Sequence, residues 1–170
     1  AMSGPALGRP KTASFKTADL VGLDTFKHVA DNCYELCPKD ESRDGLKLPE
    51  FVAKMVANKW LGNKTKGGFY KKEITPDWKK VNKVLDYNTM EYVTFDKVDF
   101  PSLQAAKKKA TLAEKVATVM YATDKGAQFA WRATAGTLIY SANRIPEIAD
   151  NIVEIDNAMK WGYNWEMGPF

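Results

Sequence analysis

From residue 126 to residue 143 the only charged side chain is Arg132. A stretch this long and this apolar folds as a helix that is either mostly buried or sunk in lipid. Gln128, Arg132, Thr134, Thr137, Ser141 and Asn143 interrupt it with polar groups, which argues against a membrane span. The reading is a buried central helix over 127–142, begun near Asp124 and broken by Pro146, with the other helices packed around it. The chain has 170 residues, 45% hydrophobic and 27% charged, enough for one domain or two small ones with a real core.

Caps and breakers divide the rest. Residues 11–21 read as a short helix with Ala13, Phe15 and Leu20 apolar, ended by Gly22. Asp24 suits the N-cap of a second helix. Its Leu23, Phe26, Val29, Ala30, Cys33, Leu36 and Cys37 recur at helical spacing and make one buried stripe. Pro38 ends it, and residues 38–47 are a polar loop. Pro49 suits the first turn of a third helix through Phe51, Val52, Met55, Val56 and Trp60, with Gly62 as its stop. Asn63 to Tyr70, "NKTKGGFY", reads as a tight turn. Residues 83–95 put strand formers on both sides of Asn88-Thr89 and predict a β-hairpin, followed by a connector over 96–102. Thr111 and Glu114 form a capping box before the apolar run 116–121. A last helix covers 151–161.

Chemistry is harder to find. Cys33 and Cys37 face the core four residues apart; a metal site needs more ligands, so both read as reduced packing thiols. His28, the only histidine, sits beside Lys27 and Val29 as a helix-surface residue. The net charge of +4 and pI near 8.9 hint only at an anionic ligand. Lys107, Lys108 and Lys109 form a solvated run. Two cysteines and no basic or apolar leader at the N-terminus predict a reducing, cytoplasmic setting; Ala1 before Met2 reads as a tag remnant. Spacing and chemistry alone give no catalytic residue, no metal ligand and no cofactor-binding residue.

Three stretches resemble a known family. "AMKWGYNWEMGPF" at the C-terminus, with Asp156 two residues before it, resembles the "DxAMxxGxxxxxGPF" element of L-3-hydroxyacyl-CoA dehydrogenases. "FKTADLVGLDT", carrying Phe15, Asp19, Gly22, Leu23, Asp24 and Thr25, looks like the "F-x-x-x-D-x-x-G-L-D" stretch that follows GPF there. "WLGNKTKGGFYKK", carrying Gly67, Gly68, Phe69 and Tyr70, is similar to the "G-x-K-[TS]-G-x-G-F-Y" element. All three occur in the family's C-terminal helical domain. Their order resembles the duplicated C-terminal region of bacterial proteins that join the dehydrogenase to an enoyl-CoA hydratase, with Gly168, Pro169 and Phe170 opening a second copy. A short echo between "PKTASF", from Pro10, and "WEMGPF", from Trp165, agrees with duplication.

The resemblance implies a mainly α fold: a helical bundle of the dehydrogenase C-terminal type with one small β-hairpin. It divides the chain into a leader (1–9), a first partial repeat (10–75), a hairpin and connector (76–110) and a second, truncated repeat (111–170). It implies a non-catalytic part of an NAD-dependent dehydrogenase of fatty-acid β-oxidation, forming the floor of the acyl-CoA cleft and a subunit interface. NAD belongs to the parent's N-terminal Rossmann domain, and none is expected in this chain. Other expected partners are an enoyl-CoA hydratase-like domain, acyl-CoA and a second copy in a homodimer; nucleic acid is not. Asn143 in "SANRI" is not assigned the family's asparagine role, because it lies on a helix and too close to Gly168. Lys64 and Lys66, two cations beside a glycine turn, are the candidates for CoA phosphates. The other matched residues serve the fold: Gly22 as a helix corner, Asp24 as a cap, Gly67 and Gly68 turning the chain so that Phe69 and Tyr70 reach the core. Trp165 and Phe170 are expected to pack against the chain's own helices or a second molecule. The competing reading is a free-standing helical module that binds an acidic protein or nucleic acid.

Overall fold

A computed structural model describes residues 2–95 and 98–170. Ala1 and two residues of the expected connector, Asp96 and Lys97, lie outside it. Among the described residues seven α-helices and three strands group into two compact units, one of residues 14–97 and one of residues 1–13 with 98–170.

The first unit runs α1 (Ala13–Val21), α2 (Leu23–Leu36), α3 (Glu50–Ala57) and a sheet of β1 (Tyr70–Ile74), β2 (Lys80–Asp86) and β3 (Glu91–Thr94). Gly22, at φ 99°, makes the corner between α1 and α2 and occupies the N-cap of α2. Asp24 is therefore not the cap; it is the second residue of the helix, an acid in the first turn, where the helix dipole favours it. The expected hairpin is present as β2–β3, paired antiparallel from Lys83 opposite Thr94 to Asp86 opposite Glu91. A third strand, β1, joins it, with Tyr70 opposite Val84 and Ile74 opposite Lys80. The core of this unit is Ala18, Leu23, Met55 and Leu85, with Phe51, Trp60, Phe69 and Tyr92 packed against it.

Two expectations fail here. The α2 stripe is not buried as a whole: Leu23 and Ala30 are inside, whereas Phe26 and Val29 are exposed and Leu36 is 80% exposed. α2 packs against α3 and the 3-10 turn Arg43–Leu46, which cover only part of its apolar face. Cys33 is half-buried and Cys37 exposed, both as free thiols, so Cys37 does not face the core. Gly62 does not stop α3. The helix ends at Ala57, with Asn58 as its C-cap and Lys59 in the left-handed region at φ 59°.

The second unit joins the 3-10 turn Pro5–Leu7 to α4 (Pro101–Lys107), α5 (Leu112–Met120), α6 (Lys125–Asn143) and α7 (Ile152–Tyr163). α4, not expected from the sequence, begins in the last two residues of the 96–102 connector and runs beyond it. The Thr111–Glu114 capping box is formed, Asp124 caps α6 through Ala127 N–H, and Asn151 caps α7. Asp124 also accepts from Ser102 N–H at 2.8 Å. Burial works to raise its pKa, but the N–H groups of Ala127 and Ser102 outweigh it and hold the carboxyl below the usual range. Met2, Leu7, Ala106, Val119 and Ala130 make the core. The N-terminal nine residues thus contribute two core side chains rather than a free leader. α6 is not the hub of all the helices. Its Gly126, Ala127, Ala130 and Ser141 are buried, while Phe129, Trp131 and Ile139 are exposed.

Candidate functional site

The motif residues of the first unit converge on one carboxylate. Asp19 is 1% exposed on α1. Phe69 N–H donates to its Oδ1 at 2.8 Å and Tyr70 N–H to its Oδ2 at 3.0 Å. A β-carbon on Gly68 would overlap Asp19 Oδ1, and one on Gly62 would overlap the Asp19 main chain. Only glycine fits at either position. Burial pushes the Asp19 carboxyl pKa up, against the two N–H groups and Lys16, which pull it down. Tyr92 Oη donates to Gly68 O at 2.7 Å, and burial, followed by the charge of Asp19, pushes its phenol up to about 12.

The loop between Gly62 and Gly68 is stitched further. Gly62 N–H donates to Gly67 O at 2.7 Å and Gly67 N–H to Gly62 O at 3.1 Å. Leu23 N–H donates to Leu61 O, and Lys16 Nζ donates to Asn63 Oδ1. Lys64 Nζ lies 2.6 and 2.7 Å from the two oxygens of Asp24, and that hydrogen bonding holds the Asp24 carboxyl below its usual range. Of the two lysines singled out from sequence, Lys64 is therefore paired. Lys66 stays exposed at φ 61°, with no ion pair among the described residues. Phe69 reaches the core, 4.7 Å from Phe15 between ring centroids. Tyr70 does not; it opens β1 and is exposed. Thr25 is exposed on the first turn of α2.

The second unit repeats the theme. Asp156 on α7 accepts from Phe170 N–H at 3.0 Å, and a β-carbon on Gly168 would overlap its carboxylate. Glu166 N–H donates to Gly8 O at 2.8 Å. The Arg9 guanidinium stacks on Trp165, 4.0 Å from the ring centroid. Trp165 and Pro169 are half-buried and Phe170 is 39% exposed, so the terminal aromatics do pack on this unit, whereas Trp161 stays open.

These glycine turns do not fit a nucleotide cofactor. A phosphate-binding turn presents free N–H groups at a helix N-terminus. Here the chain leaves Gly68 into an antiparallel strand, and the next two N–H groups already bind a carboxylate. Among the described residues no group of three or more His, Cys, Asp or Glu could hold a metal ion, and no helix is long and apolar enough to cross a membrane. His28 lies on the surface of α2 beside Asn32. Sequence reasoning found Asp19 but not its role: its partners lie 50 and 51 residues away, and no local pattern marks them.

Comparison with known proteins gives a consistent result. Residues 4–72 match the family model described as 3-hydroxyacyl-CoA dehydrogenase, C-terminal domain. The chain is 43% identical over 169 residues to a probable 3-hydroxyacyl-CoA dehydrogenase of Bacillus subtilis, covering 99% of this chain and 21% of that protein. It is 30% identical over 167 residues to a putative fatty acid oxidation complex trifunctional enzyme of Rickettsia felis, covering 96% of this chain and 21% of that one. A probable 3-hydroxyacyl-CoA dehydrogenase of Deinococcus radiodurans is 48% identical over 71 residues, 42% of this chain and 20% of that protein. The chain thus spans about a fifth of the length of these relatives. No solved structure matches it.

Proposed function

We infer that this chain, whose residues 4–72 belong to the 3-hydroxyacyl-CoA dehydrogenase C-terminal domain family, is a helical part of a longer NAD-dependent dehydrogenase of fatty-acid oxidation. Its part is non-catalytic: it supplies the floor of the acyl-CoA cleft and a surface for the parent's other domains, while NAD is bound elsewhere in the parent. The observation that carries this is the use of the motif residues. Asp19, Gly62, Gly68 and Tyr92 are committed to one another, and Asp156 and Gly168 likewise. Groups already satisfied inside a fold hold a surface in shape rather than move protons. The cytoplasmic setting and the pairing of two copies of the parent belong to this same reading.

The test has two arms. The chain mixed with NAD and 3-hydroxybutyryl-CoA gives no rise in nicotinamide absorbance; a rise proportional to protein overturns the non-catalytic reading. Calorimetry with a CoA thioester detects weak binding that Lys66→Ala lowers about threefold, the scale of one exposed charge pair. Binding that Lys66→Ala leaves unchanged removes Lys66 from the cleft.

A further inference from the structure

The second unit holds an apolar pocket of about 190 Å³. Leu7, Val116, Met120, Trp131, Leu138 and Met167 are among the apolar residues that line it. Two polar groups interrupt that wall. Thr134 Oγ1 is buried on α6 without a hydrogen-bond partner. Arg9 is half-buried on Trp165, and among the described residues no carboxylate pairs with its guanidinium. Burial alone lowers its pKa. A partly desolvated cation without a counter-ion is unfavourable, and so is a buried hydroxyl without a partner. One kind of molecule relieves the first cost and fills the cavity as well: an anionic head at Arg9 and an apolar body between α5 and α6.

We propose that this pocket binds a short linear carboxylate, its head paired with the Arg9 guanidinium and its alkyl chain among Leu7, Val116, Met120 and Leu138. A single guanidinium fork matches a carboxylate in two parallel hydrogen bonds. The volume falls below the range of about 300–1,000 Å³ that holds drug-sized ligands, so a nucleotide-bearing thioester does not enter whole. Such binding needs no cofactor and no second domain, and it stands apart from the dehydrogenase reading.

The experiment titrates the 170-residue chain with sodium octanoate and, in parallel, with 1-octanol. Tryptophan fluorescence and calorimetry report binding, because Trp131 and Trp165 line the pocket. Octanoate is expected to bind saturably, one per chain, at least tenfold tighter than octanol. Arg9→Gln is expected to remove that tenfold preference, and Leu138→Trp, which fills the cavity, to abolish both signals. Circular-dichroism melting identifies a variant that fails to fold; the octanoate-to-octanol ratio on the unsubstituted chain then decides alone. No saturable binding, equal affinity for the acid and the alcohol, or octanoate binding that survives a folded Leu138→Trp overturns the proposal.

Discussion

With a single side chain Asp19 ties α1 to main-chain groups 50 and 51 positions further along the chain. Both of its oxygens accept main-chain N–H groups from the residues just after the double glycine. Removing it leaves two part-buried donors without partners. Asp19→Ala is expected to lower stability by about 3 kcal/mol, read by urea denaturation, because orphaned buried groups cost about 1–3 kcal/mol each. Gly68→Ala is expected to cost about as much, since its new methyl falls on the Asp19 carboxylate and the Gly62 main chain. A loss under 0.5 kcal/mol in either variant would show that the loop adapts and that the carboxylate is not what fixes it. Cys37 shows the limit of reading burial from periodicity at this scale. Its spacing placed it inside, but it follows the last residue of α2 and is exposed there.

At the scale of the element, the starts of α5, α6 and α7 were legible, whereas the cap of α2, the helix α4 and the strand β1 were not. A helix start is announced locally: Thr111 accepts from Glu114 N–H, Asp124 from Ala127 N–H and Asn151 from Val153 N–H, each within three residues. β1 has the sequence Tyr-Lys-Lys-Glu-Ile, whose charges hide its strand character; its conformation comes from pairing with β2. The end of α3 was misread for a related reason, because Gly62 is required by its approach to Asp19 and not by the helix. The capping box yields a prediction of its own. Thr111→Ala is expected to cost about 1 kcal/mol of stability at neutral pH. Hydrogen bonds from Thr111 hold the Glu114 carboxyl below its ordinary 4.5. A depressed folded pKa adds stability that is present above 4.5 and is lost as pH falls through the lower folded value. Glu114→Gln should therefore flatten the acid limb of the stability curve, measured by thermal melts from pH 6 downward; an unchanged limb would exclude the cap as its source.

At the scale of the whole molecule, the resemblance matched over residues 4–72 was legible and the grouping of the chain was not. The glycine–aromatic elements carried the resemblance because each matches a fixed local spacing. The grouping depends on Met2 and Leu7 meeting Ala106, Val119 and Ala130, a contact between opposite ends of the sequence that no pattern announces. Leu7→Ala is expected to lower stability by about 3 kcal/mol, the usual range for such a truncation in a core. A dispensable N-terminal arm would instead show no change in the melt.

That discontinuity also sets an order of events on the ribosome. The unit of residues 14–97 is complete in sequence before the helices that will enclose Met2 and Leu7 have been made. Met2 and Leu7 must wait, their side chains uncovered, until translation delivers α4 through α6. A nascent chain of this kind gives chaperones an uncovered apolar segment to hold beside a unit whose sequence is already complete.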